Sequence, residues 1–266
     1  MTASTQWQTQ LSSMSLKKQR KYVLVDRIIP DCSGKKCLEI GSETGVLVDF
    51  LKSSKGGEWY AGALEQRWVD ESRSLVGDNV VLIDPRKIDF NDKFFDLVVA
   101  SRPEHIDDDQ LFFQEVYRIL RPGGIVVITS PHDERALWLN DIKERIGLTM
   151  EQYDHYRRGY SDTMLNNRLS KAGFDEISIG SYCRFFTEFI EMTLNAAYVF
   201  MNKRKARDRS ARELSYRPTS GEDVQSNRKI LTMYKMVYPL LFLMSRLDKL
   251  LFFTNGYVIY ATARRP

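Results

Sequence analysis

The stretch CLEIGSETGVL, residues 37–47, joins a carboxylate to two glycines in a pattern that suits the binding of a charged small molecule. Gly41 and Gly45 allow a sharp turn, and they let the backbone approach a ligand with no Cβ in the way. A helix that begins near Thr44 would direct its free N–H groups toward the same point. Taken alone, the turn fits a simple strand-to-helix connection equally well.

The spacing of the turn residues distinguishes between cofactors. A dinucleotide pattern G-x-G-x-x-G that starts at Gly41 would need two further glycines where this chain has Glu43 and Val46. The pyrophosphate of NAD would also bring negative charge close to Glu43 in a partly desolvated place. S-adenosylmethionine carries an ammonium and a sulfonium beside its carboxylate, so Glu43 is compatible with it and could pair with the ammonium. The turn therefore favours S-adenosylmethionine over NAD.

Short apolar runs, separated by spacers of helix length, predict the elements that position this turn. Runs that are apolar at nearly every position fit strands covered on both faces, and helices in the spacers would form right-handed crossovers. We therefore expect an α/β protein with a doubly wound, seven-stranded, mostly parallel sheet. A preceding helix is predicted over residues 15–29. The predicted strands are residues 36–41, 58–64, 79–84, 95–101, 124–130, 174–180 and 256–264.

The composition is that of a soluble globular protein. With 266 residues, 43% of them hydrophobic and 28% charged, the chain is long enough to bury a large core. The formal net charge of +4 is too small to indicate a nucleic-acid partner. The polar first twenty residues lack the apolar core of a secretory signal, so we expect a cytoplasmic location. Neither the three scattered cysteines nor the three histidines have metal-ligand spacing, and no metal is expected.

Residues 183–253 combine apolar and basic stretches, and two interpretations remain open for them. An apolar, aromatic stretch over 185–201 precedes a basic run over 202–217, and a second apolar stretch covers 230–253. A transmembrane helix is disfavoured because charged residues interrupt the second stretch. Helices that lie on an anionic membrane surface would explain the combination. A helical lid over the sheet, with the basic run in solvent, explains it equally well.

Beyond the turn, the chain resembles the class I S-adenosylmethionine-dependent methyltransferases, and within them the methyltransferase type 11 group. The first motif of that family reads acidic-x-G-x-G-x-G, which Glu39, Gly41 and Gly45 match while Glu43 departs from it. The LRPGG turn and the strand after it are the most specific match. The resemblance covers about residues 15–182 and the final strand. Its other stretches are similar to the family's third to sixth strands and lie at residues 81–106, 112–131 and 155–179.

The resemblance implies a Rossmann-like core that binds S-adenosylmethionine over residues 1–182, a helical insertion over 183–253, and a final core strand over 254–266. In the family, an acid after strand two accepts both ribose hydroxyls. Glu65 is the available acid, although an alternative register places Leu64 there. The residues expected around the methionine end are Glu39, Gly41, Ser42 and Gly45, and those expected near the adenine end and the fourth strand are Asp84, Pro85, Arg86 and Ser101.

Methyl transfer is an in-line displacement, so positioning supplies much of the rate, and a base is needed only for a weakly acidic hydroxyl. His132 directly follows the fifth predicted strand and is the first candidate for that base. His155 and Tyr160 lie in the loop before the next helix, where they would cap a substrate. For each histidine, the alternative is a structural, hydrogen-bonded role.

We therefore predict methyl transfer from S-adenosylmethionine to a small-molecule, glycan or lipid-linked acceptor, at oxygen. The alternative is a non-catalytic relative that acts as a partner or scaffold subunit. Glu43 and the uncertain register at Leu64 and Glu65 favour that alternative, whereas Asp84 and the LRPGG turn favour the enzyme. A nucleic-acid partner is less favoured because the basic run lacks interleaved aromatic residues.

Overall fold

A computed structural model of the chain describes residues 3–134, 136–148, 155–205 and 228–266. The chain divides into two compact units, which we call the sheet unit and the helical unit. The sheet unit comprises residues 21–132, 159–181 and 258–266. The helical unit comprises residues 1–20, 133–158 and 182–257.

The strands form at the predicted apolar runs, with small differences at their ends. The fifth strand begins four residues earlier than predicted, because Leu120 pairs with Phe95 before the register shifts by a bulge. Strands β1 to β7 span, in chain order, Lys36–Ile40, Glu58–Ala63, Val80–Leu82, Phe95–Ser101, Leu120–Pro131, Asp175–Tyr182 and Val258–Arg264.

The described helices include the predicted helix at 15–29. Helices α1 to α9 span, in chain order, Ala3–Met14, Leu16–Ile28, Val46–Lys55, Gln66–Val76, Asp109–Ile119, Leu139–Arg145, Asp162–Ala172, Phe185–Lys205 and Arg228–Ser245. Short 3₁₀ helices lie at Pro103–His105 and Arg246–Leu251.

The sheet has the strand order β3-β2-β1-β4-β5-β7-β6. β1 pairs in parallel with β2 and with β4, and β4 pairs in parallel with β5, whereas β7 is antiparallel to β5. The prediction of a doubly wound, mostly parallel sheet is therefore confirmed. The strand order reverses between β1 and β4, and in open α/β sheets ligands bind beyond the carboxyl ends of the strands at such a point.

The core of the sheet unit is apolar on both sides of the central strands. On one side, α5 buries Phe112, Phe113 and Val116, which lie on one helical face. The side chain of Asp108 accepts a hydrogen bond from the backbone N–H of Leu111 and so caps the first turn of α5. Packing of this apolar core holds the strands of the sheet together, and the sheet in turn positions the residues at the strand ends.

In the helical unit, α8, α9 and the second 3₁₀ helix lie between β6 and β7 in sequence. The basic run predicted at 202–217 lies outside the part whose side chains the structure describes. No described helix is both long and apolar enough to cross a membrane. The two units differ from the predicted segments, since residues 1–20, 133–158, 182 and 254–257 group with the helices rather than with the sheet.

A buried ionic cluster explains this grouping. Glu188 of α8 has a fully buried carboxylate, and it forms ion pairs with Lys17 of α2, at 2.6 Å, and with Lys143 of α6. Burial disfavours the charged form of Glu188, but the two ammonium groups outweigh burial and lower its pKa. Burial lowers the pKa of Lys143 to about 8, even though Glu188 lies beside it. One carboxylate therefore ties together three helices that are far apart in sequence.

Candidate cofactor and active site

In the turn between β1 and α3, the backbone at the end of β4 lies very close to the first glycine, Gly41. Gly41 has a φ of +91°, and a Cβ added to it would lie 1.9 Å from the carbonyl oxygen of Ser101 at the end of β4. The N–H of Gly41 donates to the carbonyl of Gly62 in β2 at 2.8 Å. Glycine is therefore required at this position by the close approach of a neighbouring strand as well as by backbone conformation.

Gly45 ends the turn and directly precedes α3. It has a φ of +73°, and an added Cβ would lie 2.8 Å from Cγ2 of Val76. The N–H of Ser42 donates to the carbonyl of Gly62 at 3.2 Å, which holds the turn against β2. The first N–H groups of α3 lack intrahelical acceptors and follow immediately. A negatively charged group next to this turn would be favoured by the amino-terminal end of the helix dipole.

Glu39 provides a buried carboxylate beside the turn. It lies in β1 and only 3% of its surface is exposed. Burial raises its pKa, whereas Lys21 and hydrogen bonds with Ser42 and Ser101 act in the opposite direction. Within the described residues, Oε2 of Glu39 has no hydrogen-bond partner. A buried acceptor in this state favours a ligand that brings a donor, and a cationic donor most strongly.

The residues predicted at the methionine end of a cofactor therefore come together at one place. Ser42 and Ser101 are both buried and both act on the Glu39 carboxylate, while Ser101 also crowds Gly41. The Nζ atom of Lys21 lies 3.5 Å from Oγ of Ser101. Cationic, hydroxyl and carboxylate groups thus meet at the carboxyl ends of β1 and β4.

Glu43 is paired within its own unit, which differs from the expected contact with a ligand ammonium. Its carboxylate accepts a hydrogen bond from the guanidinium of Arg102. Arg102 directly follows β4 and has a φ of +72°, and its Nε atom donates to Nε2 of His105 at 3.0 Å. Because Arg102 neutralises Glu43, the turn does not present a bare negative charge. The feature that most favoured a non-catalytic relative is thereby explained by an ion pair.

Glu65 lies two residues after β2 and is exposed immediately before α4. Its carboxylate accepts a hydrogen bond from Arg67 at 2.9 Å, while Leu64 packs against the apolar core. The sequence left open whether Glu65 or Leu64 occupies the position of the ribose-binding acid. In the structure Glu65 is at the surface, whereas Leu64 faces the core. The carboxyl group is accessible to a ligand at this strand end.

Asp84 follows β3 and is also exposed. Its Oδ1 atom accepts a hydrogen bond from the backbone N–H of Arg86 at 2.9 Å, across the half-buried Pro85. The Arg86 side chain forms an ion pair with Asp107. Since β1, β2 and β3 are mutually parallel, Asp84, Glu65 and the glycine turn all lie at one edge of the sheet.

Two of the three candidates for catalysis are buried in the sheet unit. His132 is 1% exposed, and its Nε2 atom lies 3.1 Å from Oδ1 of Asp162 at the start of α7. Tyr160 is fully buried, and its hydroxyl donates to Oδ2 of Asp109 at 3.0 Å. Tyr160 lies in the loop before α7, as expected, and its ring is part of the apolar core. These buried contacts fit a structural role for both His132 and Tyr160.

His155 belongs to the helical unit, where it is half-buried. Its role toward a substrate stays a prediction.

Two residues at this site were missed by sequence reasoning. Arg102 neutralises Glu43, and Lys21 lies against Ser101 and opposes the pKa rise of Glu39. The signal for Arg102 was its position directly after a predicted strand, at the edge where ligands bind. Lys21 lies in a predicted helix and carried no comparable signal.

Comparison with known proteins relates part of the chain to methyltransferases. Residues 38–128 match the model of a family described as a methyltransferase domain. The chain is 28% identical over 125 residues to an uncharacterised methyltransferase of Mycobacterium tuberculosis, which covers 46% of this chain and 51% of the relative. It is 33% identical over 113 residues to the sterol 24-C-methyltransferase of Eremothecium gossypii, which covers 39% of this chain and 29% of the relative. The matched part is thus about half or less of the length of these relatives.

Among solved structures, the fold resembles that of phosphoethanolamine N-methyltransferase 2 of Haemonchus contortus, in complex with phosphomonomethylethanolamine and S-adenosylhomocysteine. The TM-score is 0.56 at 18% sequence identity, and the match covers 93% of this chain and 52% of that chain. At this level of identity the likeness establishes the fold. Together with the family match, it agrees with the predicted resemblance: the chain has a Rossmann-like fold, and its residues 38–128 are similar to methyltransferase domains.

Proposed function

We propose that the protein is an S-adenosylmethionine-dependent methyltransferase. The observation that carries the proposal is the buried Glu39 carboxylate at the glycine turn, whose Oε2 atom has no hydrogen-bond partner among the described residues. A buried acceptor without a donor costs free energy, and a ligand that supplies the donor recovers it. The ammonium group of S-adenosylmethionine is a donor of the right charge.

The chain's own residues would bind and orient this cofactor. Glu39, Ser42 and the backbone of the turn suit its methionine end, since they offer both a carboxylate and polar donors. Glu65 suits the ribose, because a carboxylate with two oxygens can accept from two hydroxyls at once. Asp84 suits the amino group of the adenine. When bound, S-adenosylmethionine supplies an electrophilic methyl group on a sulfonium.

The acceptor that we propose is a small molecule, glycan or lipid with a large apolar part. One relative is named for a sterol acceptor, and sterols are lipids.

The proposal is tested by incubating the protein with methyl-labelled S-adenosylmethionine and, separately, with lipid and water-soluble extracts of its source cells. We expect label in the lipid extract and release of S-adenosylhomocysteine, and mass spectrometry of the product tests the prediction that the methyl group is on oxygen. Glu65→Ala and Asp84→Ala should each weaken S-adenosylhomocysteine binding by about 1–3 kcal/mol, since each leaves polar groups of the ligand unpaired.

Asp78→Ala is the matched control, because Asp78 is an exposed acid between α4 and β3 that lies outside the site. It should leave binding unchanged. If S-adenosylhomocysteine does not bind and no extract accepts label, the chain is the non-catalytic relative, whose turn no longer binds the cofactor. If Glu65→Ala and Asp84→Ala both bind like the wild type, the adenosine site is misplaced.

A further inference from the structure

On helix α9 and the 3₁₀ helix after it, many large apolar side chains face the solvent, which is the reverse of the usual arrangement. Apolar side chains recur every three or four residues on the face that is exposed to solvent, and Met236 is 78% exposed. The half-buried Tyr234 and Tyr238 and the buried Ser245 lie on the opposite face. We call the outward set the exposed stripe; it consists of Met233, Met236, Val237, Leu240, Leu243, Met244, Leu247 and Leu250.

Specific polar contacts hold the inward face, so the outward position of the stripe is fixed. The hydroxyl of Tyr234 donates to the carbonyl of Met14 at 2.7 Å. Arg20 donates through Nη2 to the carbonyl of Ser245 at 3.1 Å. These contacts join α9 to the amino-terminal helices of the same unit.

Asp248 anchors the 3₁₀ helix in the same way. It is 6% exposed, and its carboxylate accepts hydrogen bonds from the backbone N–H groups of Arg184 and Phe186, at 2.9 and 2.8 Å. These bonds satisfy donors at the start of α8, as a helix cap does. A rotation of the 3₁₀ helix that buried the stripe would break these hydrogen bonds. In the observed orientation the Asp248 carboxylate is buried, so it adds no negative charge to the surface.

Two adjacent aromatic residues extend the stripe at its end. Phe252 and Phe253 are 77% and 74% exposed, and their ring centroids lie 5.7 Å apart. Soluble proteins rarely expose so many neighbouring large apolar side chains unless the surface binds a partner. The stripe and the two phenylalanines are thus apolar side chains exposed on consecutive elements.

The charges on this surface favour one kind of partner. In residues 232–253, all of which the structure describes, the exposed charged side chains are Lys235, Arg246 and Lys249, and the one acid is the buried Asp248. A second copy of the chain would bring the same cations face to face across a symmetric interface, which is unfavourable. An anionic bilayer accommodates apolar side chains below its head groups and basic side chains among them.

We propose that the exposed stripe docks the protein on the surface of an anionic lipid bilayer. The methionines, leucines and phenylalanines enter the boundary between head groups and acyl chains, while Lys235, Arg246 and Lys249 contact lipid phosphates. The helix lies in the plane of the surface and does not cross it. This inference is independent of methyl transfer, because it rests on the helical unit alone.

The test is co-sedimentation of the full chain with vesicles of equimolar phosphatidylglycerol and phosphatidylcholine, compared with vesicles of phosphatidylcholine alone. We expect binding to the anionic vesicles at low salt and its loss as salt rises, because salt screens the basic side chains. Met236→Ser, Leu240→Ser and Leu243→Ser combined should reduce vesicle affinity at least about tenfold, since apolar burial is lost. Lys235→Gln, Arg246→Gln and Lys249→Gln combined should remove the preference for anionic lipid.

The matched control combines Val23→Ser, Leu82→Ser and Ile146→Ser, which alter equally exposed apolar residues on other elements. It should bind vesicles like the wild type, and all variants should keep the wild-type melting temperature and affinity for S-adenosylhomocysteine. Absence of binding to anionic vesicles at low salt would overturn the proposal, as would wild-type binding by the stripe variant. A stable dimer in light scattering that the stripe variant dissociates would instead assign the surface to a second copy.

Discussion

Gly41→Ala is expected to destabilise the folded protein by more than about 3 kcal/mol, which places it among the largest effects of single substitutions. The alanine Cβ would lie 1.9 Å from the carbonyl oxygen of Ser101, and the φ of +91° is itself strained for a residue with a side chain. The clash is with backbone, so β1 and β4 must separate at the edge where Glu39 lies. Urea denaturation measures the free energy of unfolding, and calorimetry should show that S-adenosylhomocysteine binding is lost.

Gly77→Ala is the matched control for this substitution. Gly77 ends α4 with a φ of +81°, but an added Cβ there would meet no heavy atom within 4 Å. The control therefore isolates backbone strain, which costs about 1–3 kcal/mol, and it should leave cofactor binding intact. Equal losses of stability in the two variants would show that crowding by Ser101 is not what requires glycine in the turn.

Glu188→Ala is expected to destabilise the protein by about 3–5 kcal/mol, the cost of removing one partner from a buried ion pair. The substitution leaves Lys17 and Lys143 facing each other without the carboxylate that neutralises them. Thermal and urea denaturation at neutral pH measure the loss. Glu144→Ala is the matched control, because Glu144 lies in the same unit and pairs with Arg158 at the surface. Exposed pairs of that kind contribute about 0–1 kcal/mol.

The stability that Glu188 contributes should depend on pH in one direction. Its pKa is lowered on folding, so the folded state binds fewer protons than the unfolded state at acidic pH. Its contribution is therefore fully present above the ordinary glutamate pKa and is lost as pH falls through the lowered value. The difference between wild type and Glu188→Ala should shrink on acidification below about pH 4.5. A difference that stays constant into strong acid would contradict the ion-pair explanation.

The sheet could be predicted because its determinants are local. Runs such as residues 95–101 and 124–130 are apolar at nearly every position, and continuous apolar runs are typical of strands buried on both faces. Helix α1 was not predicted, since its polar sequence carries little periodicity. The grouping of residues 1–20 with the helices was also missed, because it depends on the contact between Lys17 and Glu188 across a long separation in sequence.

The sequence predicted the parts of the candidate site that backbone geometry determines. It missed the parts that depend on contacts between side chains. Gly41 and Gly45 have the positive φ angles that a glycine pattern indicates. By contrast, the pairing of Glu43 with Arg102 joins the ends of two strands, and sequence spacing does not reveal it. The burial of Tyr160 was likewise not predicted, because the sequence places this residue in a loop and carries no signal for the contacts of its ring.

The central claim is that the turn beside Glu39 binds S-adenosylmethionine, and calorimetric titration with S-adenosylhomocysteine tests it most directly. The product is the better probe because it binds without reacting. We expect saturable, one-to-one binding to the wild-type protein and no detectable heat with NAD under the same conditions, since Glu43 and Val46 occupy the positions where a dinucleotide-binding turn needs glycine. Absence of saturable heat with S-adenosylhomocysteine, or equal binding of NAD, would contradict the assignment of this site.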